Sequence, residues 1–279
     1  MNTVSLIREG TALVDSGPLH MTVQVSERGI PLSELAKLGA SFALEILKQQ
    51  ADWLSVIRER VVHLSANRPY PEVVNRMIAA TQCLNDPDYS PLAAVAGAAS
   101  DMVADYVARL GATKIIVNNG GDIAIRLRQG DTATVGLRLN LSRPHYDYVT
   151  EVDRDCGIST SGLGGRSFTL GVADGVAVLA RQAAIADAVA TFLGNRTVVN
   201  SPKVKRVPAE SIYPDTDLPG VEVTHSVGAL SKGEIAMAIT MGKREALRLI
   251  ERNLIFGAVI SVKDHIDRLG YFVRALKRA

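Results

Sequence analysis

Strand-like and helix-like patterning occupy separate runs of this chain, which predicts an α+β fold of mixed sheets with helices packed on them. Three observations carry that prediction. The opening stretch from Val4 to Ser26 has β-type alternation, clearest in His20-Met21-Thr22-Val23-Gln24-Val25. From Pro31 the period changes, and Ser33 can cap a helix in which Leu35, Leu38, Phe42, Ile46 and Leu47 form one apolar stripe. Further on, Asn118-Asn119-Gly120-Gly121 closes a hairpin between Lys114 to Val117 and Ile123 to Leu127.

The remaining elements follow in order. A second helix is expected over Ala51 to Leu64, with Trp53, Leu54, Ile57 and Val61 inward, and a short one over Glu72 to Cys83. Ser90-Pro91 supplies an N-cap and a first-turn proline for a helix from Leu92 to Leu110, which Gly111 can end. That helix is crowded with alanine and glycine, as a helix is where a neighbour packs closely. Strands are expected at Thr134 to Leu139, near Phe168 to Leu170, and over Val176 to Leu179. A helix carrying Asp187 runs to Leu193, with Gly194 as its stop. Ser201 to Pro219 reads as an exposed connection. A helix over Lys243 to Arg252, a strand over Phe256 to Val262, and a basic surface helix or frayed tail at Arg274 to Arg278 complete the sequence. Residues 1–279 are taken as one domain, with 1–150 and 151–279 as possible halves.

Composition narrows the function. The formal charge of +2 gives no footprint for nucleic acid or an anionic membrane surface. No run approaches the ~20 apolar residues that span a bilayer. Arg8, Glu9 and Asp15 stand where a signal peptide needs its apolar block, so a cytoplasmic location is expected. Cys83 and Cys156 are too few for a disulfide framework or a zinc site and read as small hydrophobes. A small-molecule ligand is the expected partner, and a homodimer is a possible assembly.

Three motifs could carry chemistry. Gly120 and Gly121 present backbone N–H groups beside Asp122, which can accept from a ribose, amide or pyrimidine-like edge; as pure structure the same turn is a hairpin reversal. Ser159-Thr160-Ser161-Gly162-Leu163-Gly164-Gly165, with Arg166 next, can hold a phosphate or polar ring through main-chain and hydroxyl donors, or serve as a flexible connection. Asp187 and Thr191 lie one helical turn apart among alanines. Together they could ligate a hard cation, or pair separately with a cation and a backbone carbonyl. None of the five histidines falls inside these motifs.

Taken in chain order, Ser90-Pro91-Leu92-Ala93-Ala94-Val95-Ala96-Gly97-Ala98, Asn119-Gly120-Gly121-Asp122-Ile123, Thr160-Ser161-Gly162, Ala173-Asp174-Gly175-Val176-Ala177-Val178-Leu179-Ala180 and Ala186-Asp187-Ala188-Val189-Ala190-Thr191 with Gly194-Asn195 resemble an uncharacterised family of the ApbE-like superfamily. The resemblance covers Gln82 to Asn195. ApbE proteins are flavin transferases that use FAD and magnesium to attach FMN to a threonine of a target protein, on an α+β, T-fold-like frame. The resemblance therefore implies Asp187 and Thr191 as magnesium ligands, with a carbonyl near Ala96 or Gly97 as a third. It implies Asn119, Gly120, Gly121, Asp122, Thr160, Ser161 and Gly162 as the nucleotide pocket.

Two departures qualify what carries over. The transferase pattern has lysine where this chain has Ala96, and a His-Ile-Ile-Asp-Pro segment in an interval that here is short and holds no histidine. The metal-and-loop half of the site remains. The expectation is a magnesium-assisted site for a small phosphorylated, nucleotide-like or heteroaromatic ligand, with the reaction open and FAD or FMN as possible cofactors. The alternative is a non-catalytic accessory protein of a flavoenzyme pathway, and FMN transfer itself comes third.

Overall fold

The computed structural model describes residues 3–65, 68–165, 167–214, 216, 218–270 and 274–275. In chain order it begins with β1 (Thr3–Arg8), β2 (Thr11–Ser16), β3 (Leu19–Glu27) and β4 (Ile30–Pro31). Helices α1 (Ser33–Asp52), α2 (Leu54–Ile57), α3 (Glu72–Gln82) and α4 (Val95–Arg109) follow. Then come β5 (Lys114–Asn119), β6 (Asp122–Leu127), β7 (Ala133–Leu137), β8 (Tyr148–Val152), β9 (Cys156–Ser161) and β10 (Gly175–Ala180). The chain ends with α5 (Ala183–Asn195), β11 (Val204–Pro208), β12 (Glu222–Val227), α6 (Lys232–Glu251), β13 (Ile255–Val262), β14 (His265–Gly270) and β15 (Arg274–Ala275). The α+β expectation holds. No helix among the described residues is long and apolar enough to cross a membrane.

The chain sorts into two compact units. The first takes Met1–Thr134, Glu151–Ser159 and Ala180–Ala188. Its strands run in the order β1-β2-β3-β5-β6-β9, with β4 on β3. The β3–β5 and β5–β6 pairs are antiparallel, with Met21 opposite Asn119 and Asn119 opposite Asp122. Helices α1 and α4 lie on this sheet, α1 over β2 and β3 and α4 over β5 and β6. Gly39 makes their approach possible, because a Cβ there would meet Val107 Cγ2 at 2.7 Å and Val23 Cγ1 at 3.0 Å. Phe42 then stacks on Tyr106 with ring centroids 4.3 Å apart.

The second unit takes Val135–Thr150, Thr160–Leu179 and Val189–Ala279. Its strands include the order β10-β13-β14, the β11–β12 ribbon, and the order β15-β8-β7. Strand β10 is buried at every position, as its unbroken apolar sequence requires of an interior strand. Helix α6 packs on β13 and β14. Helix α5 belongs to this unit from Val189 onward and buries there Val189, Ala190, Phe192 and Leu193, the pattern of an internal rather than a surface helix.

Several local expectations are corrected. Ser33 does not cap α1; its Oγ accepts from Gly10 N at 3.0 Å instead. The helix expected over Ala51 to Leu64 is broken at Trp53, which leaves helical geometry to meet Tyr70 edge-on at 5.5 Å and to lie under Arg68 at 4.8 Å. No strand forms at Phe168 to Leu170, because side chains take the ladder's place: Asn195 Oδ1 accepts from Leu170 N and Thr169 Oγ1 from Gly171 N. The connection from Ser201 to Pro219 contains β11, paired to β12. Helix α6 begins well before Lys243, at a capping box in which Ser231 Oγ accepts from Glu234 N and Glu234 accepts from Ser231 N. In the basic tail, Arg274 and Ala275 form a short strand on β8 rather than a helix, and the rest of the tail lies outside the described residues.

Candidate functional site

Helix α4 follows a tight turn at Pro91–Ala94, so the N–H groups of its first residues have no partner within the helix. A carboxylate from far along the chain supplies one. Asp187 Oδ2 accepts from Gly97 N at 2.9 Å, and Ala96 N–H also donates to this carboxylate. The approach depends on Gly97 lacking a side chain. A Cβ there would overlap Ala183 O and stand 2.8 Å from Asp187 Cβ.

The Asn-Asn-Gly-Gly-Asp turn lies in the same unit. Gly120 and Gly121 have φ of 68° and 111°, the left-handed geometry that a two-residue hairpin demands at both central positions. Asn118 Oδ1 accepts from Gly121 N at 2.9 Å and closes the turn, while Asn119 is buried. Ser100 Oγ on α4 donates to Asp122 O at 2.8 Å, which ties the end of the turn to the helix.

Asp187 is only 9% exposed. Burial pushes its carboxyl well above the ordinary carboxylate range, and the charge of Asp122 pushes it further. The Gly97 and Ala96 N–H groups pull the other way, and Asp101 adds a smaller repulsion. The result is a buried acid beside a second acid, at a helix end that favours negative charge.

A network that the sequence motifs did not indicate lies one turn along α4. Asp101 accepts from Ala184 N at 2.9 Å and from Arg126 Nη2 at 2.8 Å. Arg126 Nε donates to Asp105 at 2.7 Å, and Arg76 Nη1 donates to the other oxygen of Asp105 at 2.5 Å. Burial alone would raise the Asp105 carboxyl, but the Arg126 and Arg76 guanidinium groups outweigh it and hold it below its ordinary value. The available signal was the spacing of Gly97, Asp101 and Asp105 at every fourth position, which places all three on one helical face. An open groove of about 400 Å³ runs along Asp105, Arg109, Arg126 and Asp155, and Asp187 does not line it.

The other expected residues belong to the second unit. Gly162 is buried with φ of 151°, and a Cβ on it would stand 2.7 Å from Asp174 O, so the loop after Thr160 and Ser161 is pressed against Asp174 and Gly175. Leu163 N donates to Ala173 O at 3.0 Å and reinforces that contact. Thr191 is half-buried on α5. Arg166 lies outside the described residues. Burial pushes the Cys156 thiol up to about 12, consistent with a packing residue rather than a nucleophile.

The family model described as AbpE bacteria matches residues 5–268. A UPF0280 protein of Methanopyrus kandleri is 36% identical over 135 residues, covering 48% of this chain and 52% of that protein. A UPF0280 protein of Methanococcus maripaludis is 32% identical over 183 residues, covering 63% and 72%. The chain thus spans about half the length of the first of these relatives. Among solved structures, the apo flavinyl transferase ApbE of Pseudomonas stutzeri is 16% identical, with 97% of this chain and 95% of that one covered and a TM-score of 0.51. The ApbE protein of Thermotoga maritima is 12% identical, with 96% of each chain covered and a TM-score of 0.52. At these identities the likeness is one of fold.

Proposed function

The chain belongs to the AbpE bacteria family, and from that membership we propose that it binds a small phosphorylated, nucleotide-like or heteroaromatic ligand together with Mg²⁺, with Asp187 as the cation's anchor. One observation carries the proposal. A carboxylate only 9% exposed is held at the start of α4 by Gly97 N at 2.9 Å, where burial and the charge of Asp122 both oppose its ionisation. A hard divalent cation relieves both the burial and the repulsion.

The donor set fits magnesium in kind, since Asp187 and Asp122 offer oxygen alone. Two carboxylates do not complete an octahedral shell. Among the described residues no third His, Cys, Asp or Glu completes such a group, so main-chain oxygen, water or ligand phosphate supplies the rest. Bound Mg²⁺ supplies neutralisation of phosphate charge or polarisation of a carbonyl. Asn119, Gly120 and Gly121, in the same unit as Asp187, enter the proposal through the family resemblance, as ligand contacts. The solved Pseudomonas stutzeri neighbour is a flavinyl transferase, so flavin nucleotides are the first ligands to try.

Two features favour a second reading, in which the chain captures its ligand without turnover. Ala96 replaces the lysine of the transferase pattern, and no histidine lies between Gly162 and Asp187. Product analysis of any ligand that binds separates the two readings.

The test is thermal unfolding with Mg²⁺ and with FAD, FMN, ATP or a pyridine carboxylate, each alone and in pairs. A true ligand at a hundredfold excess over its Kd should stabilise the chain by about 2.7 kcal/mol, and Asp187→Asn should abolish the part that needs magnesium. Indifference of both chains to every mixture would remove the proposal.

Protonation gives a second handle. The folded-state pKa of Asp187 lies above its ordinary 3.8, so the neutral acid favours the folded chain. Its contribution is complete below 3.8 and is lost as pH rises through the elevated value. In the cation-free chain Asp187→Asn should therefore cancel a loss of Tm on the alkaline side, and in the wild type Mg²⁺ should restore it. A wild-type Tm profile identical to that of the variant would contradict the assignment.

A further inference from the structure

Within the first unit, two helices cap one another. The first turn of α4 ends on Asp187 of α5 through Gly97 N, and the first turn of α5 ends on Asp101 of α4 through Ala184 N, each at 2.9 Å. A helix start leaves several N–H groups unsatisfied, and here each helix supplies the other's acceptor. Asp101 is 1% exposed and is itself held by Arg126 Nη2 at 2.8 Å, so one oxygen faces the helix and the other the guanidinium. Ala184 precedes Asp187 by less than one turn. A bond that fixes Ala184 therefore fixes the rotation of the turn that presents the Asp187 carboxylate.

We infer that Asp101 is a positioning residue for the cation site, and that Arg126 is the group that keeps it aimed. This rests on the cation reading of Asp187 given above. Asp101 touches neither cation nor ligand in this scheme. It orients the first turn of α5, as residues behind a metal ligand commonly do. Arg126 can do this because its planar fork reaches Asp101 through Nη2 and Asp105 through Nε at once.

The experiment measures the Kd for Mn²⁺ by electron paramagnetic resonance of the free ion, at a temperature well below the Tm of every variant. In Asp101→Asn the amide can still accept from Ala184 N, but its NH₂ meets the donors of Arg126. The Kd should rise about tenfold. Arg126→Lys keeps the charge and loses the fork; its Kd should rise in the same direction, and it carries the test if Asp101→Asn does not fold. A role confined to folding lowers Tm and leaves the Kd of the folded chain unchanged, and that result overturns the inference while the cation site stands. A wild-type chain that binds no Mn²⁺ overturns the cation reading and this inference with it.

Discussion

Arg126→Met should lower the unfolding free energy by about 3–5 kcal/mol, read from the urea midpoint at constant slope. The side chain of Arg126 is 12% exposed, and that of its partner Asp101 is 1% exposed. Removing the guanidinium leaves a buried carboxylate with its charge unanswered, which costs more than the pair itself contributes. Asp105 is hurt less, because Arg76 still holds its other oxygen. Adding Asp101→Asn to Arg126→Met should recover part of the loss, since the uncompensated charge is then gone while an acceptor for Ala184 N remains.

The pH dependence has a definite sign. The folded-state pKa of Asp105 lies below 3.8, so its ion pair stabilises the chain above that value and ceases to do so as pH falls through the depressed one. The gap between wild type and Arg126→Met should narrow in acid. A loss of under about 1 kcal/mol at neutral pH would mean that the network behaves as an exposed surface pair, contrary to its burial.

Gly157→Ala should cost about 3 kcal/mol or prevent folding altogether. A Cβ on Gly157 would overlap the backbone N and Cα of Ala183 and the carbonyl carbon of Gln182. No rotamer change relieves that collision, because every atom met belongs to the main chain at the start of α5. The same contact brings β9 against the turn that carries Ala184. A matched substitution separates space from conformation. Gly233 stands in the first turn of α6, where a Cβ would meet no heavy atom within 4 Å, so Gly233→Ala should be neutral or stabilise by about 0.5–1 kcal/mol. Equal effects at the two glycines would show that chain entropy, not close approach, governs Gly157.

Local pattern carried much of the architecture. The alternation of β3 and the Gly120–Gly121 hairpin report on residues two to four apart, where backbone geometry alone decides which side chains share a face. The stripe expected on α1 was misplaced: its buried face is Ala36, Gly39, Ala40, Ala43, Ile46 and Gln50, mostly small residues that let the helix approach the sheet, while Leu38 is exposed. Where a side chain captured the backbone the pattern misled, as at Leu170, whose N–H bonds to Asn195. The capping box at Ser231 was legible by the same local rules, since its two partners are three residues apart.

Within the candidate site, residue types were visible in the primary structure: an acid among alanines at Asp187, a glycine at Gly97 and an acid ending the hairpin turn at Asp122. Their relations were not. The bond from Gly97 to Asp187 joins residues 90 apart, and that from Ala184 to Asp101 joins residues 83 apart. Folding had to place the starts of α4 and α5 together before either carboxylate acquired a helix to cap. The displaced pKa of Asp187 arises from burial and from the charge of Asp122 through space, neither of which a linear spacing encodes.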